Sequence, residues 1–243
     1  MSSDNIIYDG VSIKIVQAPD PEQVIIRFTD DITAFYKTKK AVIKDKGIYC
    51  CGISSLIHRH LHAAGIRTHF IRTLAPREQL CRKVEVIPLE VIVRNVIAGS
   101  LARRLGLREG TLPAGPIFDL CYKNERLSDP VINEYHALAL GLVNEEEMDF
   151  IYSTTRKINS VLFPLFSKAG ITLVDFKIEF GRLPSGEIVM ADDITPDSAR
   201  FWDAKTGERL DKDRFRHDDG MVGAAYQRVW DALGGVSEEL GEQ

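Results

Sequence analysis

Long apolar runs, a strongly basic composition and a cysteine framework are all missing from this 243-residue sequence. No segment is apolar for long enough to cross a bilayer, and the polar stretch 1–8 does not resemble a signal peptide, so we expect neither membrane insertion nor export. The formal net charge is −4, which gives no sign of a nucleic-acid partner. These absences favour a cytoplasmic protein that acts on small molecules.

Cysteine is scarce, with only Cys50, Cys51, Cys81 and Cys121 present. Their spacing matches no common zinc pattern, and a disulfide between the adjacent Cys50 and Cys51 would be strained. Because a reducing cytosol keeps thiols free, we predict buried free cysteines.

Hydrophobic spacing predicts two long helices. Apolar residues recur every three or four positions from about 48 to 64 and from about 148 to 168. Gly65 and Gly170 follow directly, at the position where a left-handed residue usually ends a helix. His58 and His62 share one face of the first helix, and no third ligand is indicated, so we interpret them as part of a solvated face.

Alternation with period two predicts strands at 88–95 and 173–181. A turn at 184–186 then returns the chain as a strand at 187–191. Because short strands also fill the first third of the sequence, we predict an α+β architecture with two lobes and a cleft between them.

The second of these strands carries the strongest chemical signal. Asp175, Lys177 and Glu179 share one face because a strand repeats every two residues, and the opposite face is apolar. The predicted hairpin brings Asp192 and Asp193 close to them. Several carboxylates beside a lysine are typical of a site for Mg²⁺ and phosphate. The alternative is a solvated sheet face with alternating salt bridges.

A second signal lies on the strand at 88–95. Glu90 and Arg94 share a face, and Gly99 and Ser100 then precede a short helical stretch. A serine at a helix start caps free backbone amides, and an arginine beside it suits phosphate. An ordinary N-cap with a surface arginine explains this segment equally well.

In chain order, seven segments resemble signatures of the SAICAR synthetase family. The most specific are VDFKIEFG at 174–181, ADDITPD at 191–197 and PLEVIVRN at 88–95. Shorter ones lie at 46–47, 122–124, 129–133 and 210–216. The resemblance covers the chain from about 8 to about 233.

The resemblance implies a fold similar to ATP-grasp and kinase-like two-lobed enzymes, with ATP in the cleft. It implies a nucleotide-binding lobe at 1–87 and a substrate and metal lobe at 88–233. The polar, Gly-rich and acidic composition of 234–243 predicts a disordered tail. The family joins L-aspartate to carboxyaminoimidazole ribonucleotide (CAIR) with ATP and Mg²⁺, in purine biosynthesis. The implied partners are these small molecules, and the resemblance leaves assembly into a homo-oligomer open.

The resemblance also assigns roles to single residues. Glu179 and Asp192 would hold Mg²⁺, and Lys177 and Asp175 would be catalytic. The residues implied to bind substrate are Glu90, Arg94, Ser100, Asp129, Asp197, Arg200 and Lys212. The residues implied to bind the nucleotide are Gly10, Ser12, Lys14 and Lys123.

The opening loop departs from the family, where it usually reads Tyr-x-Gly-Lys-Ala-Lys. Val11 and Ile13 occupy both lysine positions here, and Lys14 follows one place later, where alternation points it to the other face. Either these two positions face the cleft, or they pack into the core and Lys14 has taken over the phosphate contact. Cys50 and Cys51 also stand where the family favours two asparagines.

Three functions are compatible with these patterns. The first is the ligase that the resemblance implies. The second is another ATP-dependent phosphotransferase that keeps Lys177, Glu179 and Asp192 but does not use aspartate. The third is a nucleotide-binding protein that has lost catalysis, which the altered opening loop would suit.

Overall fold

The structure is a computed structural model that describes residues 5–35 and 38–235. An N-terminal antiparallel sheet has five strands in the order β1-β2-β3-β7-β6. Its strands are β1 (Ile6–Asp9), β2 (Ile13–Gln17), β3 (Gln23–Phe28), β6 (Phe70–Ala75) and β7 (Glu78–Arg82). A separate hairpin is formed by β4 (Asp31–Ala34) and β5 (Lys39–Val42). Most of the tail predicted to be disordered, from 236 onward, lies outside the described residues.

A second antiparallel sheet has six strands and is organised around one long central strand. Its strands are β8 (Glu85–Arg94), β9 (Ile117–Tyr122), β10 (Val131–Ile132), β11 (Ile171–Arg182), β12 (Ile188–Met190) and β13 (Ala199–Asp203). Strand β8 pairs with one edge of β11, while β13 and β12 share the other edge. The two strands predicted from alternation are confirmed as β8 and β11, and the strand predicted after the turn is confirmed as β12.

Six α-helices complete the described part of the chain. They are α1 (Lys46–Ala63), α2 (Gly99–Leu105), α3 (Glu134–Ala139), α4 (Glu145–Lys168), α5 (Asp213–His217) and α6 (Val222–Ala232). Both long predicted helices are confirmed, although α4 begins three residues before 148. Asn144 and Glu147 form a capping box there, so the helix extends beyond its apolar stripe. Within 5–35 and 38–235, no helix is both long and apolar enough to span a membrane.

The larger hydrophobic core lies between α4 and the apolar face of β11. Phe176, Ile178 and Phe180 on the strand and Ile158 and Leu162 on the helix are at most 1% exposed. The side chains between them on β11 are charged and lie on the other face. The apolar back face predicted for this strand is therefore confirmed.

Helix α1 lies between the two cores. Ile53, Ile57 and Leu61 pack into the larger core, whereas Cys50 and Cys51 pack with strands of the N-terminal sheet. All four cysteines of the chain are buried and free, as predicted. Because α1 touches both cores, its position is set by both sheets.

A short backbone seam joins the two sheets beyond α1. The His69 N–H donates to the Met190 carbonyl at 2.8 Å, and the Arg82 N–H donates to the His69 carbonyl at 2.7 Å. The chain passes from β7 to β8 next to this seam, at 83–84. The division predicted after 87 therefore falls inside β8.

The prediction of a solvated histidine face on α1 is wrong for His58. His62 is exposed, but His58 is 1% exposed and stacks on Phe70, with ring centroids 5.1 Å apart. Neither ring nitrogen of His58 has a hydrogen-bond partner in the described structure. Helix α1 is covered on both sides, so spacing along the helix could not identify a solvent face.

Buried histidines make the fold sensitive to acid. Burial, with a contribution from Arg82, lowers the pKa of His69 to about 4 from its usual 6.5. Below pH 6.5 the His69 imidazole is protonated in the unfolded chain, but in the folded chain it stays neutral until about pH 4. The free energy of unfolding therefore falls as the pH drops from 6.5 to about 4. Down to pH 5 this loss is roughly 2 kcal/mol.

Urea unfolding at pH 7 and pH 5 tests this for the wild type, His69→Gln and the exposed-site control His60→Gln. We expect His69→Gln to lose about 2 kcal/mol less between the two pH values than the control does. The same acid loss in all three proteins would contradict the assignment.

Candidate active site

The register of the second sheet brings together charged residues from three strands. Asp175 of β11 lies opposite Arg94 of β8 and opposite Arg200 of β13. Glu179 lies opposite Glu90. Side chains directly opposite in an antiparallel pair share one face, so the predicted signals at 88–95 and 173–181 form a single charged surface.

One end of this surface is a carboxylate cluster, formed by Glu90, Lys123, Lys177, Glu179 and Asp192. The Lys177 ammonium lies 2.7 Å from Glu179, 2.9 Å from Asp192 and 3.3 Å from Glu90. Lys123 donates to the other oxygen of Glu179. The hairpin therefore returns Asp192 to the site as predicted.

The charges of the carboxylate cluster depend on one another. Burial alone would lower the pKa of Lys177, but Asp192, Glu179 and Glu90 outweigh it and hold that pKa well above its usual value. Burial raises the pKa of Glu90, which Lys177 partly offsets. Burial and Asp192 together raise the pKa of Asp193 to about 7. Lys177 is thus a permanent cation between carboxylates that would otherwise repel one another.

Glu179 and Asp192 fit a magnesium ion that arrives with phosphate. Both contact the Lys177 ammonium, so the two carboxylates lie side by side. Mg²⁺ in proteins is usually held by one or two carboxylates together with substrate phosphates and water. Across 5–35 and 38–235, no three His, Cys, Asp or Glu side chains are arranged to hold a metal by themselves. The donor set therefore suits a metal–nucleotide complex and does not form an all-protein cage.

The other end of the surface is an arginine cluster. Arg94 donates to Asp119 at 2.6 Å, to Asp175 at 3.3 Å and to the Ser100 hydroxyl at 3.4 Å. Arg200 donates to the same Asp175 oxygen at 2.8 Å. Asp175 is 3% exposed, so it acts as the shared anion that holds two guanidinium groups side by side.

Further partners leave the arginine cluster with a surplus of positive charge. Arg104 donates to Asp119 at 2.6 Å, and both Arg200 and Arg216 contact Asp213. Burial would lower the pKa of Arg200, but Asp175 and Asp213 outweigh it and raise that pKa. Four arginines thus face three aspartates, a balance that suits an anionic ligand. The arginines are Arg94, Arg104, Arg200 and Arg216.

The backbone at Gly99 lies close to the Arg200 side chain of the arginine cluster. Gly99 has a φ of 56°, and a Cβ atom there would lie 2.4 Å from a terminal nitrogen of Arg200. The expectation that Ser100 caps the next helix is wrong, because α2 begins at Gly99 after Ala98 and has no side-chain cap. The Ser100 hydroxyl instead contacts Arg94, because its position inside the first turn points it back toward β8.

The distance between the two clusters is similar to the length of one small ligand. Asp175 and Glu179 are four residues apart on β11, which corresponds to roughly 13 Å along an extended strand. The face between them carries the Lys177 side chain. A ligand with a phosphate at one end and a carboxylate at the other can contact both clusters at once.

Asp197, predicted to bind substrate, lies behind the carboxylate cluster. One oxygen accepts a hydrogen bond from the Lys46 ammonium at 2.6 Å, and the other accepts from the Tyr226 hydroxyl at 2.9 Å. Lys212 is half-buried nearby, and burial lowers its pKa. Its ammonium donates no hydrogen bond to any residue within 5–35 or 38–235.

Asp129 and the opening loop occupy the margins of the site. Asp129 accepts the Asn124 N–H at 2.7 Å, and its charge helps to raise the pKa of Glu90. Gly10 and Ser12 lie between β1 and β2, at the edge of the N-terminal sheet. In the described part of the chain they make no hydrogen bond or ion pair with the carboxylate cluster.

The alternation of β2 separates Lys14 from Ile13. Lys14 pairs with Asp9 at 2.8 Å, where Lys14 is half-buried and Asp9 is exposed. Ile13 packs against the smaller core below the N-terminal sheet. Lys14, like Gly10 and Ser12, makes no ion pair with the carboxylate cluster within the described residues.

Five residues of the site were given no role from the sequence. Asp119 is a single carboxylate within the otherwise apolar and aromatic strand β9, which is the signal that could have identified it. Arg104 sits in a polar stretch that resembles ordinary surface, and Asp213 and Arg216 lie in the matched segment 210–216 without an assigned role. Lys46 is a single lysine at a helix start, a position that is usually solvated, yet it is fully buried.

Comparison with known proteins identifies the family. The family model described as SAICAR synthetase matches residues 6–233. A phosphoribosylaminoimidazole-succinocarboxamide synthase of Clostridium acetobutylicum is 49% identical over 97% of this chain and 100% of its own length. The enzyme of that name from Clostridium novyi is 53% identical over 92% of this chain and 94% of its own.

Solved structures give the same answer for the fold. The crystal structure of the Ehrlichia chaffeensis synthase has a TM-score of 0.94 at 42% identity and covers 96% of this chain and 100% of its own. A SAICAR synthetase (Type-2) solved in complex with ADP has a TM-score of 0.92 at 44% identity, over 96% of this chain and 99% of its own. The predicted two-lobed, ATP-grasp-like α+β fold is thereby confirmed, and the chain belongs to the SAICAR synthetase family.

Proposed function

We propose that ligation takes place along the charged face of β11. The chain is an ATP-dependent ligase of purine biosynthesis that joins L-aspartate to the carboxylate of CAIR. The observation that carries the proposal is the pairing of an arginine cluster and a carboxylate cluster at the two ends of one strand face. CAIR has its phosphate and its imidazole carboxylate at opposite ends, so it matches this pattern.

The chemistry must overcome a poor electrophile, because a free carboxylate resists attack by an amine. In the proposed route an oxygen of the CAIR carboxylate attacks the γ-phosphorus of ATP, and ADP leaves. The aspartate amine then attacks the acyl carbon, and phosphate leaves with one of the former carboxylate oxygens. The protein contributes mainly alignment and screening of charge in both steps.

Residue roles follow from the two clusters. Lys177 faces the reacting carboxylate and phosphoryl groups, where its fixed positive charge offsets the charge that develops. Arg94, Arg200 and Ser100 bind the ribonucleotide phosphate, because two guanidinium groups held by one aspartate present their remaining donors together. Asp175 orients both arginines. Glu90, in the carboxylate cluster, would contact the imidazole or the ribose.

The nucleotide and the metal belong at the carboxylate end. Glu179 and Asp192 would hold Mg²⁺, and Lys123, bonded to Glu179, would contact the ATP phosphates. When bound, Mg²⁺ supplies charge neutralisation and orientation of the phosphates. Asp129 and Lys212 would assist in substrate binding, and Asp197 would act through its buried contacts with Lys46 and Tyr226.

The remaining expectations belong to the same proposal. The N-terminal lobe, 1–87, covers the nucleotide through Gly10, Ser12 and Lys14, and the lobe at 88–233 binds CAIR. A cytoplasmic location suits an enzyme whose substrates are soluble phosphorylated metabolites.

ADP release tests the function most simply. We expect release to require CAIR and L-aspartate together, measured by a coupled assay with each substrate omitted in turn. L-glutamate in place of L-aspartate is the matched control and should give little release. Release without aspartate would favour the phosphotransferase, and no release under any condition would favour a protein that has lost catalysis.

Arg94→Lys tests the arginine cluster. Lysine keeps the charge but loses the planar fork that contacts Asp119 and Asp175 together, so we expect KM for CAIR to rise about tenfold, or roughly 1.4 kcal/mol. KM for ATP should change less than about twofold. Arg156→Lys, at an exposed position, is the control. A defect limited to ATP would place Arg94 in the nucleotide site.

The opening loop yields a prediction that combines stability and affinity. Val11→Lys with Ile13→Lys should reduce the free energy of unfolding by roughly 1–3 kcal/mol and leave ATP binding no tighter, because Ile13 packs into the core. Lys14→Ala should weaken ATP binding several-fold, and the exposed control Lys157→Ala should not. Thermal melts measure the stability of each variant, and ATP titrations measure its affinity for ATP. Tighter ATP binding without a loss of stability would show that positions 11 and 13 face the cleft.

A further inference from the structure

A fully buried lysine links helix α1 to the segment that carries the metal carboxylate. Lys46 is the first residue of α1 and is 0% exposed. Its ammonium lies 2.6 Å from Asp197, whose other oxygen accepts the Tyr226 hydroxyl of α6 at 2.9 Å. Burial alone would lower the pKa of Lys46, but Asp197 outweighs it and raises that pKa. The pair is therefore ionised inside the protein.

A continuous chain of hydrogen bonds leads from this ion pair to Asp192. The Asp197 N–H donates to the Thr195 hydroxyl oxygen at 3.3 Å. The Thr195 hydroxyl donates to the Asp193 carboxylate at 2.8 Å, and the Asp193 N–H donates to an Asp192 carboxylate oxygen at 2.9 Å. Each of these contacts fixes the next, so the position of Asp197 sets the orientation of Asp192.

We infer that Lys46 is a positioning residue for the metal carboxylate Asp192, acting through Asp197 and Thr195. The inference rests on the proposed role of Asp192 in holding Mg²⁺. Because α1 also packs against the N-terminal sheet, Lys46 couples the placement of that sheet to the geometry of the metal site. It does not touch the reacting groups itself.

Stability alone does not explain the ion pair. Replacing both partners of a buried ion pair with neutral side chains of similar size often leaves stability unchanged or improves it. Removing one partner is destabilising, because it leaves the other charge buried and unpaired. Groups that orient a metal ligand from behind, in contrast, typically change metal affinity by about 10- to 100-fold when they are lost. Lys212, Cys50 and Asp193 also lie close enough to affect Lys46, but Asp197 is the carboxylate to which it donates a hydrogen bond.

The test separates a positioning role of Lys46 from a purely structural one by removing both charges of the Lys46–Asp197 ion pair together. The variants are Lys46→Met, Lys46→Met with Asp197→Asn, and Asp192→Asn, with the exposed-site variant Lys157→Met as control. The first readout is Mn²⁺ affinity in the presence of ADP, measured by electron paramagnetic resonance, since Mn²⁺ prefers the same oxygen ligands as Mg²⁺. The second readout is Tm.

We expect Lys46→Met to lose both stability and Mn²⁺ affinity. The double variant should regain the wild-type Tm yet bind Mn²⁺ about tenfold or more weakly, because methionine cannot tether the segment. Recovery of Mn²⁺ affinity together with Tm would overturn the inference and leave Lys46 a purely structural residue.

Two further results complete the test. If Asp192→Asn leaves Mn²⁺ affinity unchanged, the metal assignment itself is wrong and the inference falls with it. If the double variant does not fold, Tyr226→Phe decides, because it keeps Lys46 and removes only the Tyr226 hydroxyl, which contacts Asp197 at 2.9 Å and the Pro196 carbonyl at 3.3 Å. A severalfold loss of Mn²⁺ affinity in Tyr226→Phe supports positioning, and wild-type affinity contradicts it.

Discussion

The structure depends on one constraint, which is that a central strand carries charge on one face and the main hydrophobic core on the other. A shift of β11 by one residue would place Asp175, Lys177 and Glu179 in the core, so its register is strongly fixed. Charges this deeply placed must also be paired. The neighbouring strands supply the partners, with Arg94 from β8 and Arg200 from β13. The demands of folding and of ligand binding therefore select the same side chains.

Helix α1 extends this constraint to the rest of the molecule. It contributes to both hydrophobic cores, and its first residue forms the ion pair with Asp197. The backbone seam at His69 and Met190 joins the sheets next to it. The two sheets are thus connected by packing and hydrogen bonds close to the proposed metal site.

Much of this arrangement could be predicted from the sequence, because period-two alternation identifies a strand with two chemically different faces. That pattern was enough for β11, for β8 and for the return of Asp192. The helix pattern likewise identified α1 and α4. The seven ordered motifs supplied the family, which no single pattern could have done.

The failures share a cause, which is that spacing along one element does not reveal what covers it. His58 resembled a solvated residue until both sides of α1 were known to be packed. Lys46 is a single charge whose only explanation lies 151 positions away in Asp197. Ser100 was predicted to cap a helix, but the backbone begins that helix one residue earlier. Long-range packing and pairing decided His58 and Lys46, and the local start of the backbone helix decided Ser100.

The central claim is that ATP removes an oxygen from the substrate carboxylate on the charged face of β11. The most direct measurement uses CAIR labelled with ¹⁸O in its carboxylate and follows the phosphate released during ligation by mass spectrometry. The account predicts that each phosphate formed carries one oxygen from a carboxylate position. Phosphate that carries only oxygen from ATP and water would contradict it, because the carboxylate would then have been activated in some other way.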